Sequence, residues 1–383
     1  MKIAIITSGL LPLPAAKGGA IETLIDSFVQ ENEKQKKFEI TIYSISSREA
    51  KKIVKYQKYQ FCKYVYINQI SSFFIRVINK LLKKNIPINK YYQKHVTSLI
   101  NKRKYDYVIV ENYPELVLSL QNSKVIPYIH SDVFNKDIGK AKEILSACYK
   151  VIAVSDYIKS RVIEIDENAK NKVFTAYNSI DFKELDEITI DHYKKKSREK
   201  YNIGDNDFVY AFSGRLSKEK GPLELIKAFN KIEVPNKKLL IIGGAWYGSK
   251  KKNDYLKQLY KISDDSVIYT GYIKHSEIKE ILCAVDVGVV PSNCNEAAGL
   301  SVVEFMSVGA LVVASNKGGI KEYLNVDDNI LIDYNQESFV DDLACALNEC
   351  YKIYNSNIKK NNIEYSKKFT VQKNYRRLVE VLK

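Results

Sequence analysis

The chain has 383 residues and a mass of 44.0 kDa, which is too large for one ordinary core and fits two domains. Apolar residues make up 45% and charged residues 27%, with 16 glycines, 8 prolines and 6 cysteines, so a largely disordered, a collagen-like or a disulfide-dense protein is excluded. The excess of 60 Lys and Arg over 45 Asp and Glu gives a net charge of +15. Such an excess favours an anionic partner: nucleic acid, a membrane surface or a phosphorylated substrate.

Strand and helix signals alternate through the first half of the chain, beginning with a strand at Lys2–Ser8 and a helix at Ala20–Asn32. Short apolar runs of this kind are typical of buried parallel strands. Further strands are predicted at Phe38–Ile45, Tyr105–Glu111, Val125–His130, Lys150–Val154 and Lys172–Ala176. This alternation predicts a doubly wound α/β domain.

A second series of the same kind follows the polar, charged stretch 183–206, and its first helix, Pro222–Lys231, opens with proline at an early position. Its strands are predicted at Phe208–Ser213, Lys238–Gly243, Val267–Thr270, Val285–Val290, Leu311–Ala314 and Ile330–Ile332. We therefore predict an N-terminal domain over 1–190, a C-terminal domain over 191–370 and a final helix within 371–383.

One segment, residues 51–104, differs from the rest because it holds 14 Lys and Arg, interleaved with aromatic residues, and no Asp or Glu. One helical face within it is apolar and the opposite face is basic: Phe74, Val77, Ile78, Leu81 and Leu82 against Arg76, Lys80, Lys83 and Lys84. This pattern is typical of an interfacial helix on an anionic membrane. A surface helix packed on its own core fits equally well, and nucleic-acid binding is a third interpretation.

Targeting and redox signals are weak. The start, MKIAIITSGL, lacks the long apolar stretch and cleavage region of a signal peptide, and no run approaches the ~20 apolar residues of a membrane span. No two cysteines form a CxxC pair, so reduced thiols are a simpler expectation than zinc or redox chemistry. We expect a cytoplasmic protein, with peripheral membrane contact as the alternative that residues 51–104 suggest.

Two carboxylates frame the most informative motif, EAAGLSVVE, which runs from Glu296 to Glu304 with Gly299 between them. A strand precedes it, and a helix is predicted at Leu300–Ser307. A helix start at the carboxyl edge of a parallel sheet favours an anion such as phosphate, and glycine permits close backbone approach. Carboxylates accept hydrogen bonds from sugar and ribose hydroxyls, although two glutamates eight apart are common by chance.

Cations and glycines stand at two other strand ends. SGRLSKEKG places Arg215 and Lys220 after the strand Phe208–Ser213, where they could stabilise a leaving diphosphate or remain exposed loop cations. AAKGGAIE places Gly18 and Gly19 between the first strand and helix, in a turn that could approach a phosphate.

The motifs together resemble the family 4 retaining glycosyltransferases (GT4). GGAIETL, IHSD, AVSDYIKSRV, YNSID, SGRLSKEKGPLELIKAF, TGYIKHSEI, EAAGLSVVE and SNKGGIKEYL follow one another in the family's order over nearly the whole chain. The amino end is most similar to bacterial members linked to surface polysaccharide or spore-coat glycans. The resemblance implies a GT-B fold: two Rossmann-like domains facing across a cleft, with the final helix, Val371–Leu382, crossing back to the first domain.

The resemblance also implies which substrate each domain binds. The C-terminal domain would bind the nucleotide sugar and the N-terminal domain the acceptor, with no metal or other cofactor required. Arg215 and Lys220 match the diphosphate-binding cations, Glu304 the ribose-binding carboxylate, and Glu296 the carboxylate that contacts the donor sugar. Further donor-binding positions are Gly19 in the amino-terminal loop, Gly214, Tyr272 and Ile273 beside the base, and Gly299 and Leu300 beside the sugar and β-phosphate.

Four other positions have weaker implications. His130 matches a histidine near the reacting carbon, although a lone histidine at a strand end is more often packed and hydrogen-bonded. Ser155 and Asn178 match motif positions with a structural or cleft-lining role. Ala298 departs from the family, where an aromatic residue often precedes the glycine, so the identity of the donor sugar is the expectation most in doubt.

The function expected is retaining transfer of a sugar from a nucleoside diphosphate sugar, preferably a UDP-sugar, to a hydroxyl of a glycan or lipid-linked acceptor in bacterial surface glycan synthesis. A sugar-nucleotide epimerase, a phosphorylase or another GT-B enzyme is one alternative. A non-catalytic glycan-assembly scaffold on a membrane is another. A nucleic-acid-binding protein, suggested by charge alone, is the third.

Overall fold

The computed structural model describes residues 1–68, 89–121, 124–181, 185–244 and 254–383. It divides into two compact units, one made of Met1–Ser179 with Val371–Lys383 and the other of Ile180–Thr370. The helix predicted around Phe74–Leu82 lies outside the described residues. Each unit is a parallel sheet with helices, so the predicted α/β fold class of two Rossmann-like domains is confirmed.

The N-terminal unit contains a seven-stranded sheet in the order β3-β2-β1-β4-β5-β6-β7, in which every neighbouring pair is parallel. Its strands are β1 Lys2–Ile6, β2 Glu39–Ile45, β3 Cys62–Ile67, β4 Tyr107–Glu111, β5 Lys124–Ile129, β6 Val151–Ala153 and β7 Val173–Thr175. Its helices are α1 Ala20–Gln35, α2 Arg48–Gln57, α3 Lys90–Ile100, α4 Ala141–Ala147 and α5 Asp156–Ile163, with 3₁₀ turns at Pro114–Ser119 and Glu167–Lys172. The strand order reverses between β1 and β4, which places a topological switch point there.

The C-terminal unit contains a six-stranded parallel sheet in the order β10-β9-β8-β11-β12-β13. Its strands are β8 Phe208–Ser213, β9 Lys237–Ile242, β10 Val267–Gly271, β11 Val287–Val290, β12 Leu311–Ser315 and β13 Ile330–Ile332. Its helices are α6 Glu187–Lys200, α7 Pro222–Lys231, α8 Asp254–Ile262, α9 His275–Leu282, α10 Leu300–Met306, α11 Ile320–Tyr323, α12 Phe339–Ile353 and α13 Ser356–Ser366, with 3₁₀ turns at Lys218–Lys220 and Lys367–Phe369. Here the switch point lies between β8 and β11.

The final helix, α14 (Val371–Leu382), packs within the N-terminal unit. The hydroxyl of Tyr375 donates to Asn32 Oδ1 at 2.9 Å, and its ring lies 5.2 Å from that of Phe28. Lys150 Nζ donates to the carbonyl of Val381 at 2.6 Å. The Tyr375 contacts hold the helix against α1, and the Lys150 contact joins its end to the residue before β6, so the predicted return of this helix to the first domain is confirmed.

The structure divides the chain between residues 179 and 180, whereas the sequence predicts a boundary after residue 190. The reason is α6, a polar helix whose inner face is nevertheless buried. Arg198 is 4% exposed and donates through Nη2 to Asp286 Oδ2 at 3.1 Å, at the start of β11. Because this ion pair fixes α6 to the second sheet, the helix belongs to the C-terminal unit from its beginning.

Candidate functional site

In the C-terminal unit, the loops that follow β8 and β11 leave the sheet on either side of its switch point. Gly214, Arg215 and Lys220 lie on the first loop, and Glu296 and Gly299 on the second. In open parallel α/β sheets, ligands bind outside the carboxyl ends of the strands at this point. The predicted donor-site residues of the two motifs are therefore brought to the same edge of one sheet.

A direct ion pair joins the two loops. Lys220 Nζ lies 2.5 Å from Glu296 Oε1, and the two side chains are 25% and 17% exposed. Ser292 Oγ donates to the same carboxylate oxygen at 2.6 Å. Arg215 is more open, at 44% exposed, and its Nη2 lies 3.7 Å from Glu219 Oε1. A partly solvated cluster of this kind retains charge that can be turned towards an anionic ligand.

The backbone of Glu296 is held by the loop that follows β12. Glu296 pairs with Gly318, and the amide of Gly319 donates to its carbonyl at 2.7 Å. Gly318 has φ 61°, and a Cβ there would lie 2.2 Å from the Glu296 carbonyl oxygen. Only glycine combines this backbone conformation with so close an approach. The two glycines of SNKGGIKEYL, Gly318 and Gly319, therefore hold the backbone of Glu296 in place.

The helix α10 begins at Leu300, and Gly299 is its N-cap residue, with no side-chain cap. Glu304 lies within this helix, and burial raises the pKa of its carboxyl group to about 7. Within the described part of the chain that carboxyl accepts no hydrogen bond. A desolvated carboxyl group without a protein partner can accept hydrogen bonds from a ligand's hydroxyl groups.

Tyr272 and Ile273 follow β10 at the same edge of the sheet. Tyr272 is 52% exposed, and a Cβ placed on Gly244, after β9, would lie 3.8 Å from its Cβ. Tyr272 is therefore an exposed aromatic residue beside a glycine turn, and its position beside the base stays a prediction.

The N-terminal unit places its predicted residues in a more enclosed setting. His130 follows β5, and its Nε2 lies 2.7 Å from Glu111 Oε2, with both side chains only 3% exposed. The other ring nitrogen, Nδ1, is buried without a hydrogen-bond partner among the described residues. When the ring is neutral, the carboxylate favours the proton on Nε2 and leaves Nδ1 as an acceptor. The histidine is thus packed and hydrogen-bonded, with one unused nitrogen.

Gly19 is the N-cap of α1, with φ 110°, and a Cβ there would lie 2.2 Å from Glu22 Oε2. Burial raises the pKa of Glu22, and the negative charge of Glu111 adds to the rise while His130 opposes it. The glycine turn, two buried carboxyl groups and the histidine therefore form one polar cluster beside the switch point of this sheet. A cavity next to it is lined on its polar side by Glu111, Tyr128, His130 and Asn374.

The sequence did not identify Glu22, Glu111 or Ser292 as functional. Glu111 carries a signal in retrospect, because it is a charged residue at the end of the buried strand YVIVE. The two remaining motif positions are buried: Ser155 accepts from the amide of Ile158 at 3.1 Å as the N-cap of α5, and Asn178 is 4% exposed.

Two kinds of site are absent from the described ranges. No helix there has the length and apolar character needed to cross a bilayer. No group of three or more His, Cys, Asp or Glu side chains in those ranges is arranged to hold a metal ion.

Comparison with known proteins places this site within a known domain. Residues 193–369 match the family described as glycosyl transferases group 1. Spore coat protein SA of Bacillus subtilis is 27% identical over 343 residues, which cover 86% of this chain and 84% of that protein. The lipopolysaccharide 1,2-N-acetylglucosaminetransferase of Salmonella typhimurium is 32% identical over 134 residues, 33% of this chain and 35% of that protein.

Among solved structures, Anabaena HepE in complex with UDP-glucose covers 100% of this chain and 99% of its own, with a TM-score of 0.72 and 18% identity. WaaG, a glycosyltransferase involved in lipopolysaccharide biosynthesis, covers 99% of both chains with a TM-score of 0.68. These similarities confirm the GT-B fold. The chain is a glycosyltransferase, and residues 193–369, within its C-terminal unit, are similar to the glycosyl transferases group 1 family.

Proposed function

We propose that the chain is a retaining glycosyltransferase of the GT4 type, which moves a sugar from a UDP-sugar to a hydroxyl group of a glycan or lipid-linked acceptor. The observation that carries this proposal is the Lys220–Glu296 contact of 2.5 Å at the switch point of the C-terminal sheet, inside the matched domain. It combines a cation for a diphosphate with a carboxylate for sugar hydroxyls. The structure of Anabaena HepE in complex with UDP-glucose supports the choice of nucleotide.

The donor is assigned to the C-terminal unit. Arg215 and Lys220 neutralise the diphosphate, Glu304 accepts from the ribose hydroxyls, and Glu296 accepts from the sugar. The backbone at Gly214, Gly299 and Leu300 approaches the phosphates and sugar, while Tyr272 and Ile273 border the base. The partly exposed cations and the unpartnered Glu304 carboxyl are consistent with these roles.

The acceptor is assigned to the N-terminal unit. In the same unit, the loop at Gly19 is assigned to the phosphate of the donor, and His130 is assigned to the neighbourhood of the reacting carbon. The unused Nδ1 of His130 supports a role in binding a hydroxyl group. In the reaction proposed, the acceptor oxygen bonds to the anomeric carbon on the face from which the diphosphate leaves. The carbon–oxygen bond to the diphosphate breaks, and the acceptor's proton passes to the departing diphosphate. Positioning and charge neutralisation supply the catalysis, without a protein nucleophile.

The acceptor's biological setting is proposed to be bacterial surface glycan synthesis. The names of spore coat protein SA and of the Salmonella lipopolysaccharide enzyme support this class of product. Ala298, where an aromatic residue is frequent, leaves a differently shaped pocket for the donor sugar.

The test is metal-free release of nucleotide from a panel of UDP-, GDP- and ADP-sugars, because many transferases slowly hydrolyse their own donor. We expect one UDP-sugar to be cleaved by the wild type and not by Glu304→Ala. Retention of the anomeric configuration in the product of a subsequent transfer assay would support the mechanism. Conversion of the donor to an epimer without an acceptor would instead indicate an epimerase. If no sugar nucleotide in the panel released its nucleotide and none bound in a thermal-shift assay, the proposal would be contradicted.

We also propose that the basic segment 51–104 contacts an anionic membrane surface, where a lipid-linked acceptor would be presented. Its described part supports this. On α2, Lys52 and Lys55 are exposed, and the ring of Tyr56 beside them is 80% exposed. Tyr91 on α3 is 45% exposed. Exposed aromatic rings among lysines are suited to the headgroup region.

Vesicle flotation tests this second proposal. We expect the chain to float with vesicles that contain anionic lipid and to be released by salt, and we expect Lys52→Gln/Lys55→Gln to float less. The matched control is Lys257→Gln, an exposed lysine of the C-terminal unit. Equal flotation with neutral and anionic vesicles would contradict an electrostatic contact.

A further inference from the structure

Ser292 is a buried hydroxyl residue at the carboxyl end of β11, two residues after that strand. It is 1% exposed, and its carbonyl accepts a hydrogen bond of 2.6 Å from Ser315 Oγ, at the end of β12. Its own hydroxyl donates to Glu296 Oε1 at 2.6 Å. A residue fixed in this way gives its hydroxyl group a defined direction.

Two donors therefore converge on one oxygen of the Glu296 carboxylate. Lys220 Nζ and Ser292 Oγ lie 2.5 Å and 2.6 Å from Oε1, while Oε2 has no partner among the residues that the structure describes. The backbone of Glu296 is fixed by the amide of Gly319. The carboxylate is thus oriented, with its second oxygen available to a ligand.

The two donors differ in what a bound nucleotide sugar does to them. A diphosphate carries more negative charge than a carboxylate, so Lys220 is drawn towards it and shares its ammonium group. Ser292 is neutral and buried, and its carbonyl accepts a hydrogen bond from Ser315. Its hydroxyl therefore keeps its hydrogen bond to Glu296. The serine is then the group that keeps the carboxylate oriented while the lysine serves the phosphates.

We propose that Ser292 is a positioning residue, which fixes Glu296 so that Oε2 accepts hydrogen bonds from the sugar of the bound donor. The inference rests on the proposed function. It assigns the serine to recognition of the sugar and not of the nucleotide. The affinities for a nucleotide with and without its sugar can therefore be compared to test it.

The experiment compares the affinities of UDP and UDP-glucose by calorimetry for the wild type, Ser292→Ala and the control Ser197→Ala. Ser197 is also 1% exposed in the same unit, and its hydroxyl donates at 3.0 Å to the carbonyl of Glu280, away from Glu296. We expect Ser292→Ala to weaken UDP-glucose about tenfold and UDP less than about twofold. The control is expected to change the ratio of the two affinities by less than about twofold.

Equal weakening of UDP and UDP-glucose by Ser292→Ala, or no change in either, would overturn the positioning role while leaving the proposed function intact. Failure of the wild type to bind either compound would overturn the UDP-sugar assignment and this inference together. Should Ser292→Ala not fold, Ser292→Cys, which keeps the volume but donates weakly, is expected to show the same selective loss for UDP-glucose.

Discussion

The two units carry polar clusters at equivalent places, beside the switch point of a parallel sheet, but they expose them to very different degrees. In the N-terminal unit, His130 and Glu111 are both 3% exposed. In the C-terminal unit, Lys220 and Glu296 are 25% and 17% exposed, and Arg215 is 44% exposed. The same topology therefore holds one buried pair and one partly solvated cluster.

This difference in exposure predicts which substitutions lower stability and which lower ligand binding. Removing one partner of a buried hydrogen-bonded pair is strongly destabilising, since the other partner remains desolvated and unpaired. A partly exposed pair contributes about 0–1 kcal/mol to folding, while its charges remain available to a ligand. We therefore expect substitutions in the C-terminal cluster to lower activity, and substitutions in the N-terminal pair to lower stability first.

The largest effect is expected for Lys220→Ala. Loss of the cation that we propose for the diphosphate should lower turnover about 100- to 1000-fold. The free energy of unfolding should change by no more than about 1 kcal/mol, because the pair with Glu296 is partly exposed. Lys231→Ala, which removes an exposed lysine paired with Asp341 in the same unit, is the control for both measurements. Near-normal transfer by Lys220→Ala would contradict its role.

The next effect is expected for Glu111→Ala, which leaves His130 without its partner. The free energy of unfolding should fall by about 3 kcal/mol, measured by chemical denaturation. Glu115→Ala removes an exposed carboxylate of the same unit and should change it by less than about 0.5 kcal/mol. If both variants were equally stable, the buried pair would not be a stabilising element and the comparison between the units would fail.

A smaller effect is expected from the pH dependence of Glu304. Burial raises the pKa of this carboxyl group from 4.5 to about 7, so its contribution to stability is full below about 4.5 and is lost as the pH rises through about 7. In the role proposed for Glu304, the ribose hydroxyls bind its ionised form, so the affinity for UDP-glucose should rise with pH, by up to about tenfold per unit below the pKa.

Glu304→Gln isolates that pH effect, because glutamine does not titrate. Between pH 5 and pH 8 the free energy of unfolding of this variant should fall less than that of the wild type. Its affinity for UDP-glucose should also depend less on pH over the same range. Calorimetry in buffers of different ionisation enthalpy should detect proton release on binding to the wild type only. An identical pH profile in both proteins would show that Glu304 is not the titrating group.

The sequence predicts most of the fold because buried parallel strands are short apolar runs. Twelve of the thirteen strands in the described part of the chain coincide with predicted ones. The exception is β3, whose sequence, CKYVYI, lies within the basic segment and is half-buried at one side of the sheet. Its charge and aromatic content favoured a surface interpretation. The stretch 183–206 shows only polar and charged residues in the sequence, because the burial of the polar helix α6 depends on Asp286, far away in the chain.

The site is predictable to the extent that its parts lie within motifs. Lys220, Glu296 and Glu304 are named by spacing and resemblance, and the structure brings the first two into contact. The sequence does not predict Ser292 and Glu111. Each is singled out by a side-chain hydrogen bond to a residue 4 or 19 positions away, and these side chains meet only at strand ends. Such contacts depend on how far each loop extends beyond its strand, which a single sequence does not specify.

The central claim is that the donor binds at the β8–β11 edge of the C-terminal unit, and hydrogen–deuterium exchange with and without UDP-glucose tests it most directly. We expect the ligand to slow exchange in peptides that cover residues 214–221 and 292–306, while the remote helix α12 is unchanged. Lys220→Ala should show weaker protection in both peptides at the same ligand concentration. Protection absent from these two peptides, or confined to the N-terminal unit, would contradict the account.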